Sequence, residues 1–488
     1  MGDLSLKRVM LAAPRSGSGK TTVTCALLEA LKKRGLDPVS FKCGPDYIDP
    51  LFHRKVLGID GRNLDTFFSG TDGVRSILSA CGDRYAVIEG VMGLYDGMSA
   101  GGLWGSGYEI AAAADIPIVL VMDASGIGRT VISLIKGMLL DDTERLIRGV
   151  LLNRISEGYY ETLRPALEKE LRKVRKEVKL LGFLPKNEGI SIGSRHLGLK
   201  LPGEIDDLRL KIETAAAMLE GNADVAGIIS IMEGAGTGKE AAGSAAEGPE
   251  NERPAKASDI ELLRSTGLRI PADLSGNRRE RTLAVAYDDA FCFYYRDNLE
   301  LFEKHGVRIC FFSPLTDREL PAQTDGILLG GGYPENHLGQ LSRNTSMLAS
   351  VREALDRGVP SLAECGGFMY LHKTITDQDG HAYEMVGAVD GDCRYTGHLV
   401  RFGYMEIEAI SGAGAADPMV RSLVGMKGHE FHYSDSTCNG DTCIAAKPYG
   451  NRKWKCMVFR NNGLWGFPHF YYRSDPAFIE AFINRMKS

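Results

Sequence analysis

Apolar runs of strand length recur through the first half of the chain at Arg8 to Ala13, Pro38 to Lys42, Tyr85 to Glu89, Ile116 to Met122, Ile147 to Leu152 and Lys179 to Phe183. Amphipathic stretches of helical length separate them. This alternation predicts a mainly parallel sheet with helices on both faces, whose ligands gather at the carboxyl ends of the strands. A second α/β rhythm follows, with strands expected at Thr282 to Ala286, Val307 to Phe312, Gly326 to Leu329 and Pro360 to Ala363. Between the two, Met232 to Ser258 is rich in Gly, Ala, Glu and Pro and almost empty of large apolar side chains, as a solvated linker or insertion would be. The expected organisation is therefore an α/β domain over 1–232, a flexible linker or insertion over 233–257, and a second α/β domain over 258–488.

Composition narrows the function classes. The 488 residues are 44% hydrophobic, enough for two or three domains, and 58 basic against 63 acidic residues leave a net charge of -5. That balance argues against a nucleic acid backbone as main partner and against a polybasic membrane anchor, leaving small-molecule chemistry. Ten cysteines without a C-x-x-C pair, and no start resembling a secretory signal, point to a reducing cytoplasm. No run approaches the roughly 18 apolar residues of a membrane span. Cys438 and Cys443, five apart, lack the second pair a tetrahedral metal site needs and read as free thiols at a hairpin tip.

Residues 16–22 read SGSGKTT, directly after the first strand run and before the helical stretch Val23 to Arg34. Strand, glycine turn and helix form the context of a phosphate loop. Gly17 and Gly19 let backbone N–H groups approach phosphates, Lys20 supplies a point charge, and the Thr21 hydroxyl is placed for Mg²⁺. Ser18, Gly19, Lys20, Thr21 and Thr22 are the expected nucleotide-binding set. The pattern departs from the usual one at Pro14, where glycine is common. A second GTGKE, inside the linker, has no strand before it and Glu240 in place of the hydroxyl, so it is not a phosphate loop. Three acidic positions accompany the loop: Asp46 and Asp49 in FKCGPDYIDP, and Glu89 at the end of a core strand that runs into GVMGLYDG with Asp96. An acid at a strand end beside a phosphate loop is suited to metal and water.

In the second half, VPSLAECGGFMYL places Cys365 between an apolar strand and a helix start, with glycines behind it. A nucleophile on such an elbow stands clear of its backbone, and the helix N-terminus favours thiolate. The loop Gly330 to Glu335, GGGYPE, offers the N–H groups of Gly331 and Gly332 to an oxyanion. The thiol needs a base, and His429 and His432 in GHEFHYS and His469 in LWGFPHFYYRSDP are the available histidines.

SGSGKTT, FKCGPDYIDP, GRNLD at Gly61 to Asp65, EGVMGLYDG, and SRHLGL at Ser194 to Leu199 together resemble the cobyrinic acid a,c-diamide synthase family. Its first domain is similar to dethiobiotin synthetase and its second to class I glutaminases of flavodoxin-like α/β fold. The resemblance implies that Lys20 and Thr21 bind ATP and Mg²⁺. It implies a metal set of Thr21, Asp46 and Glu89, carboxylate activation by Asp46, Asp49 and Asp96, and an adenine contact from Asn153. Arg195 and His196 would face the substrate or the domain interface. It selects His469 as base, although Tyr471 stands where the family often has a further histidine, and Gly466-Phe467 where it usually has Ser-Tyr. GHEFHYS would shape the domain interface or form a polar core cluster, and the third triad member is not legible.

The implied activity uses ATP to make an acyl phosphate on the a and c acetates of cobyrinic acid, and ammonia released from glutamine by Cys365 and His469 to displace the phosphate. A protected route for ammonia between the domains is then expected. The loop GPDYIDP favours this family over cobyric acid synthase, while nickel-sirohydrochlorin and hydrogenobyrinic acid remain alternative substrates. A ParA- or MinD-like ATPase switch would leave the glutaminase motifs unexplained, and CTP synthase is a further two-domain relative in kind. A homodimer is left open.

Overall fold

The structure is a computed structural model and describes residues 7–99, 101–190, 202–235, 280–412 and 414–486. In the first half, β1 (Arg8–Ala12), β2 (Pro38–Cys43), β3 (Gly61–Leu64), β4 (Tyr85–Glu89), β5 (Ile118–Asp123), β6 (Ile147–Asn153) and β7 (Lys179–Leu184) form one sheet in the order β3-β2-β4-β1-β5-β6-β7. Every pairing in it is parallel. The sequence explains why: β1 is apolar at nearly every position because both its faces are covered. Met10 and Ala12 pack into one core layer, while Val9 and Leu11 pack into the other with Leu27, Leu28 and Leu31 of α1 (Lys20–Lys33). The helix α1 ends where Gly35 turns to a φ of 74°, with its N–H on Lys32 O and the Leu36 N–H on Leu31 O. The phosphate loop, the end of β2 and the end of β4 thus meet at the carboxyl edge of the central strands.

In the second half, β8 (Arg281–Ala286), β9 (Val307–Phe312), β10 (Gly326–Leu329) and β11 (Ser361–Glu364) are followed by three short strands, β12 (Thr374–Thr376), β13 (Ala382–Glu384) and β14 (Asp392–Tyr395). Then come β15 (Arg401–Ile410), β16 (Lys427–His432), β17 (Ser434–Ser436), β18 (Cys443–Ala446), β19 (Lys453–Cys456), β20 (Val458–Arg460), β21 (Gly463–Gly466) and β22 (His469–Phe470). A six-stranded sheet runs β20-β21-β11-β10-β8-β9, parallel except for β20. Two further sheets, β13-β12-β14-β17 and β19-β18-β15-β16-β22, were not expected from the sequence. The second of these is antiparallel throughout and carries His429 and His469 side by side in register.

The helix Val225–Glu233 closes the first half, and described structure resumes at Glu280, so most of the expected 233–257 linker and all of 258–279 lie outside the described residues. One expectation is revised. Cys438 and Cys443 are free thiols but not at a hairpin tip: β17 and β18 belong to different sheets, and Cys443 is buried beside its cross-strand neighbour Cys456.

The halves are joined by polar and aromatic contacts. Arg62 binds Asp297 at 2.9 Å and Glu300 at 2.6 Å, and the Tyr404 hydroxyl donates to Asp65 at 2.6 Å. Tyr47, Phe67, Phe68, Tyr295 and Tyr471 form one buried cluster across the boundary.

Candidate active site

At the first centre, β1 delivers the chain into the phosphate loop and α1 begins at Lys20. Gly19 has a φ of 86°, and a Cβ there would lie 2.2 Å from Asn153 Nδ2, so only glycine fits. Asn153, at the end of β6, donates to Ser18 O at 2.9 Å, and Arg154 donates to Gly17 O at 2.9 Å while holding Asp123 at 3.0 Å. Asn153 therefore braces the loop from below in this structure. Ser18 turns its hydroxyl to Arg15 O, and Thr22 lies half-buried on the first turn of α1. Lys20 donates to Arg15 O at 3.2 Å and Met92 O at 2.5 Å. Its partner loop is shaped by Asp96, which accepts the Gly93 N–H at 2.8 Å.

The acids converge on a residue the sequence reading passed over. Lys42, near the end of β2, lies 2.7 Å from Asp49 and 2.8 Å from Glu89, all three buried, and the Thr21 hydroxyl donates to the same Glu89 oxygen at 2.7 Å. Burial alone would lower the ammonium pKa, but Glu89 and Asp49 outweigh it and hold Lys42 above its ordinary value. Lys42 stays charged. The signal available in sequence was a lysine inside an otherwise apolar strand segment, next to a loop with two acids. Asp46 adds its charge to the field on Lys42, while its Oδ1 accepts the N–H groups of Ile48 and Asp49 at the start of the short helix that carries Asp49. Arg195 and His196 lie outside the described residues.

At the second centre, Cys365 follows β11 with φ 45° and ψ -102°, a strained conformation for a residue with a Cβ, costing on the order of 1–3 kcal/mol. Its N–H is anchored on Gly466 O and its carbonyl accepts Met369 N–H. Gly366 and Gly367 follow because a Cβ at 367 would meet Leu329 O at 2.1 Å. The glycine loop closes over the elbow: a Cβ on Gly366 would lie 3.2 Å from Gly332 N, and one on Gly331 would strike the His469 ring at 2.3 Å. Cys365, the Gly331-Gly332 loop and His469 are therefore brought together from three separate segments.

His469 is buried and stacked on His429, with ring centroids 5.0 Å apart. Burial, with His429 and His432 adding to it, pushes the imidazole well below its ordinary pKa, so it is neutral and able to accept a proton. The expectation of a thiolate is not met: burial pushes the Cys365 thiol well above its ordinary value, and desolvation in this closed site outweighs the helix N-terminus. Thiol and imidazole are thus both neutral at rest.

A carboxylate that sequence did not reveal lies beside them. Glu364, immediately before Cys365, has Oε2 3.8 Å from His469 Nδ1, and the Tyr472 hydroxyl donates to its Oε1 at 2.7 Å. Burial pushes its pKa up to about 8. Within GHEFHYS, His432 and Glu430 form a satisfied polar cluster beneath the base. His432 stacks on Phe467 and bonds Glu430, which also receives Arg401 and Trp454. From the first domain, Tyr47 packs its ring 5.3 Å from His469 and 5.1 Å from Phe293.

A phosphate loop with a buried acid pair, joined to a cysteine elbow with its own histidine and glycine loop, defines a glutamine-dependent amide ligase. The comparisons agree half by half: residues 9–199 match the CobQ/CobB/MinD/ParA nucleotide binding domain and residues 282–467 the CobB/CobQ-like glutamine amidotransferase domain. The chain is 35% identical over 486 residues to the cobyrinate a,c-diamide synthase of Clostridium tetani, covering 98% of this chain and 100% of that one. It is 36% identical over 490 residues to that of Listeria monocytogenes serovar 1/2a, covering 97% and 98%. The chain belongs to the cobyrinate a,c-diamide synthase family. Among the described residues no helix is long and apolar enough to cross a membrane.

Two outcomes follow. Lys42→Met leaves Asp49 and Glu89 buried without their shared cation and should cost about 3–5 kcal/mol, read by urea denaturation. Glutamine hydrolysis should rise between pH 7 and 9 as Glu364 ionises through about 8 and comes to stabilise the imidazolium. In Glu364→Gln that rise should vanish and kcat should fall about tenfold or more. The sign for stability runs the other way: with its folded pKa above the ordinary 4.5, Glu364 contributes fully below pH 4.5 and less as pH climbs through about 8, so Glu364→Gln flattens that decline.

Proposed function

We propose that this protein amidates the a and c acetate carboxylates of cobyrinic acid, using ATP for activation and glutamine as nitrogen donor. The observation that carries this reading is the pairing of the two centres across one interface, with the loop of Asp46 and Asp49 reaching His469 through Tyr47. Full-length likeness to relatives named cobyrinate a,c-diamide synthase supports the choice of substrate.

In the glutaminase half, Cys365 attacks the glutamine side-chain amide while His469 takes the thiol proton, so charge separates only as the bond forms. The N–H groups of Gly331 and Gly332 receive the developing oxyanion. His469 then hands its proton to the departing nitrogen, ammonia leaves, and water clears the thioester. Glu364 steadies the imidazolium.

In the synthetase half, Lys20 neutralises charge on the transferring phosphoryl group and the loop N–H groups cradle the phosphates. The Thr21 hydroxyl and Glu89 carboxylate, side by side at 2.7 Å, are hard oxygen donors that fit Mg²⁺. When bound, the ion polarises the phosphoryl oxygens. Asp46 spends Oδ1 within its own loop, so Thr21 and Glu89 carry the assignment. Lys42, 2.8 Å from Glu89 and 2.7 Å from Asp49, holds both carboxylates in place. Ammonia displaces phosphate from the acyl phosphate to give the amide.

Product mass analysis with ATP, Mg²⁺ and glutamine tests this. Cobyrinic acid should gain two amides in succession. Cys365→Ser should lose glutamine-dependent synthesis and glutamate release while ammonium salts still support amidation. Amidation of nickel-sirohydrochlorin but not cobyrinic acid would move the substrate assignment, and no amide on any tetrapyrrole would overturn it.

A further inference from the structure

Phe402, Phe431, Tyr433 and Tyr395 stand on the surface of the second domain, with 62%, 50%, 41% and 38% of their area exposed. Their rings form a continuous row: Phe402 to Phe431 at 5.6 Å, Phe431 to Tyr433 at 5.8 Å, and Tyr433 to Tyr395 at 6.4 Å. Single exposed rings need no explanation, but four in mutual contact are apolar surface of the kind that a ligand or partner covers.

Strand register ties this row to the reaction centres. Phe402 of β15 pairs with Phe431 of β16, and the next pair on the same face is Tyr404 with His429. The exposed row therefore continues, about 7 Å along the strand, into the buried interface. There Tyr404 donates to Asp65 and His429 stacks on His469. The Tyr404 hydroxyl also lies 3.6 Å from where a Gly44 Cβ would be, at the start of the loop that carries Asp46 and Asp49. Cations edge the row: Lys447 donates to the carbonyl oxygens of Phe402 and Tyr404, and the exposed Arg394 precedes Tyr395. A flat row of rings with a cationic edge complements a flat apolar ring that bears carboxylate arms.

We propose that Phe402, Phe431, Tyr433 and Tyr395 are the docking ledge for the macrocycle of a polycarboxylic tetrapyrrole, seating it with its acid arms toward the loop of Gly44 to Asp49. This rests on the substrate class proposed above. The ledge supplies apolar area and orientation, Lys447 and Arg394 take the arms that are not reacting, and the phosphate-loop centre takes the one that is.

The test is steady-state amidation of cobyrinic acid by the full chain. The double variant Phe402→Ser, Phe431→Ser should raise KM for cobyrinic acid at least tenfold while KM for ATP stays within twofold. Phe402→Ser alone should give a smaller rise in the same direction and stands in if the double variant does not fold. Phe311→Ser, removing another exposed ring on β9, should leave both constants unchanged. A corrinoid KM within twofold of the parent in both ledge variants would overturn the ledge, as would a loss of self-association in ultracentrifugation with that KM unaltered. A parent enzyme that amidates neither cobyrinic acid, hydrogenobyrinic acid nor nickel-sirohydrochlorin would instead overturn the substrate class itself, before any variant is made.

Discussion

Three buried charges hold the synthetase half in working order, and the segment they fix also touches the glutaminase base. Asp49 and Glu89 share the Lys42 ammonium in a place where water cannot replace any of them. Charges so buried persist only when mutually paired, so the loop from Cys43 to Pro50 has little freedom to drift. Two residues before Asp49, Tyr47 leaves that loop and lies against Phe293, Tyr295 and His469. The same eight-residue stretch is therefore part of both the phosphate centre and the glutaminase wall. Thr21 shares the Glu89 oxygen that binds Lys42, which adds the nucleotide loop to the same set of contacts.

Burial sets the protonation states of the second centre. A helix N-terminus and a strained elbow both favour a reactive sulfur, yet the closed glycine loop and the His429–His469 stack remove the water that a thiolate needs. The resting pair is neutral, with reactivity released only when an amide carbon is present to accept the electrons. Such a site does not squander its thiol on solvent species, which suits an enzyme whose product at that centre is a small, diffusible base. Glu364, at the end of the strand that leads into Cys365, lies 3.8 Å from His469 Nδ1.

Much of this was legible in the chain. The largely apolar strand runs announced a doubly covered parallel sheet, and β1, β4 and β6 fall where those runs lie, because burial on both faces favours apolar positions. Glycines with no room for a Cβ, at 19 and 331 against side chains and at 332 and 367 against backbone, marked both loops. What sequence hid was partnership across long separations. Lys42 looked like the polar end of a strand until two acids, 7 and 47 residues away, closed around it. Glu364 looked like a strand residue, since nothing in its neighbourhood reports a histidine more than a hundred positions later. The short antiparallel strands after residue 370 lack strong periodicity, so the sheet that places His429 beside His469 could not be read from pattern alone. The thiolate expectation failed because local motif geometry carries no information about how tightly other segments seal the site.

If the shared loop makes the two centres one device, nitrogen freed at Cys365 should reach the acyl phosphate without mixing with the solvent. Amidation of cobyrinic acid with glutamine labelled with ¹⁵N at the side-chain amide, in excess unlabelled ammonium at neutral pH, measures this directly. The product amides should retain nearly all of the label. Label diluted in proportion to the free ammonium would contradict a joined pair of sites and leave two independent activities on one chain.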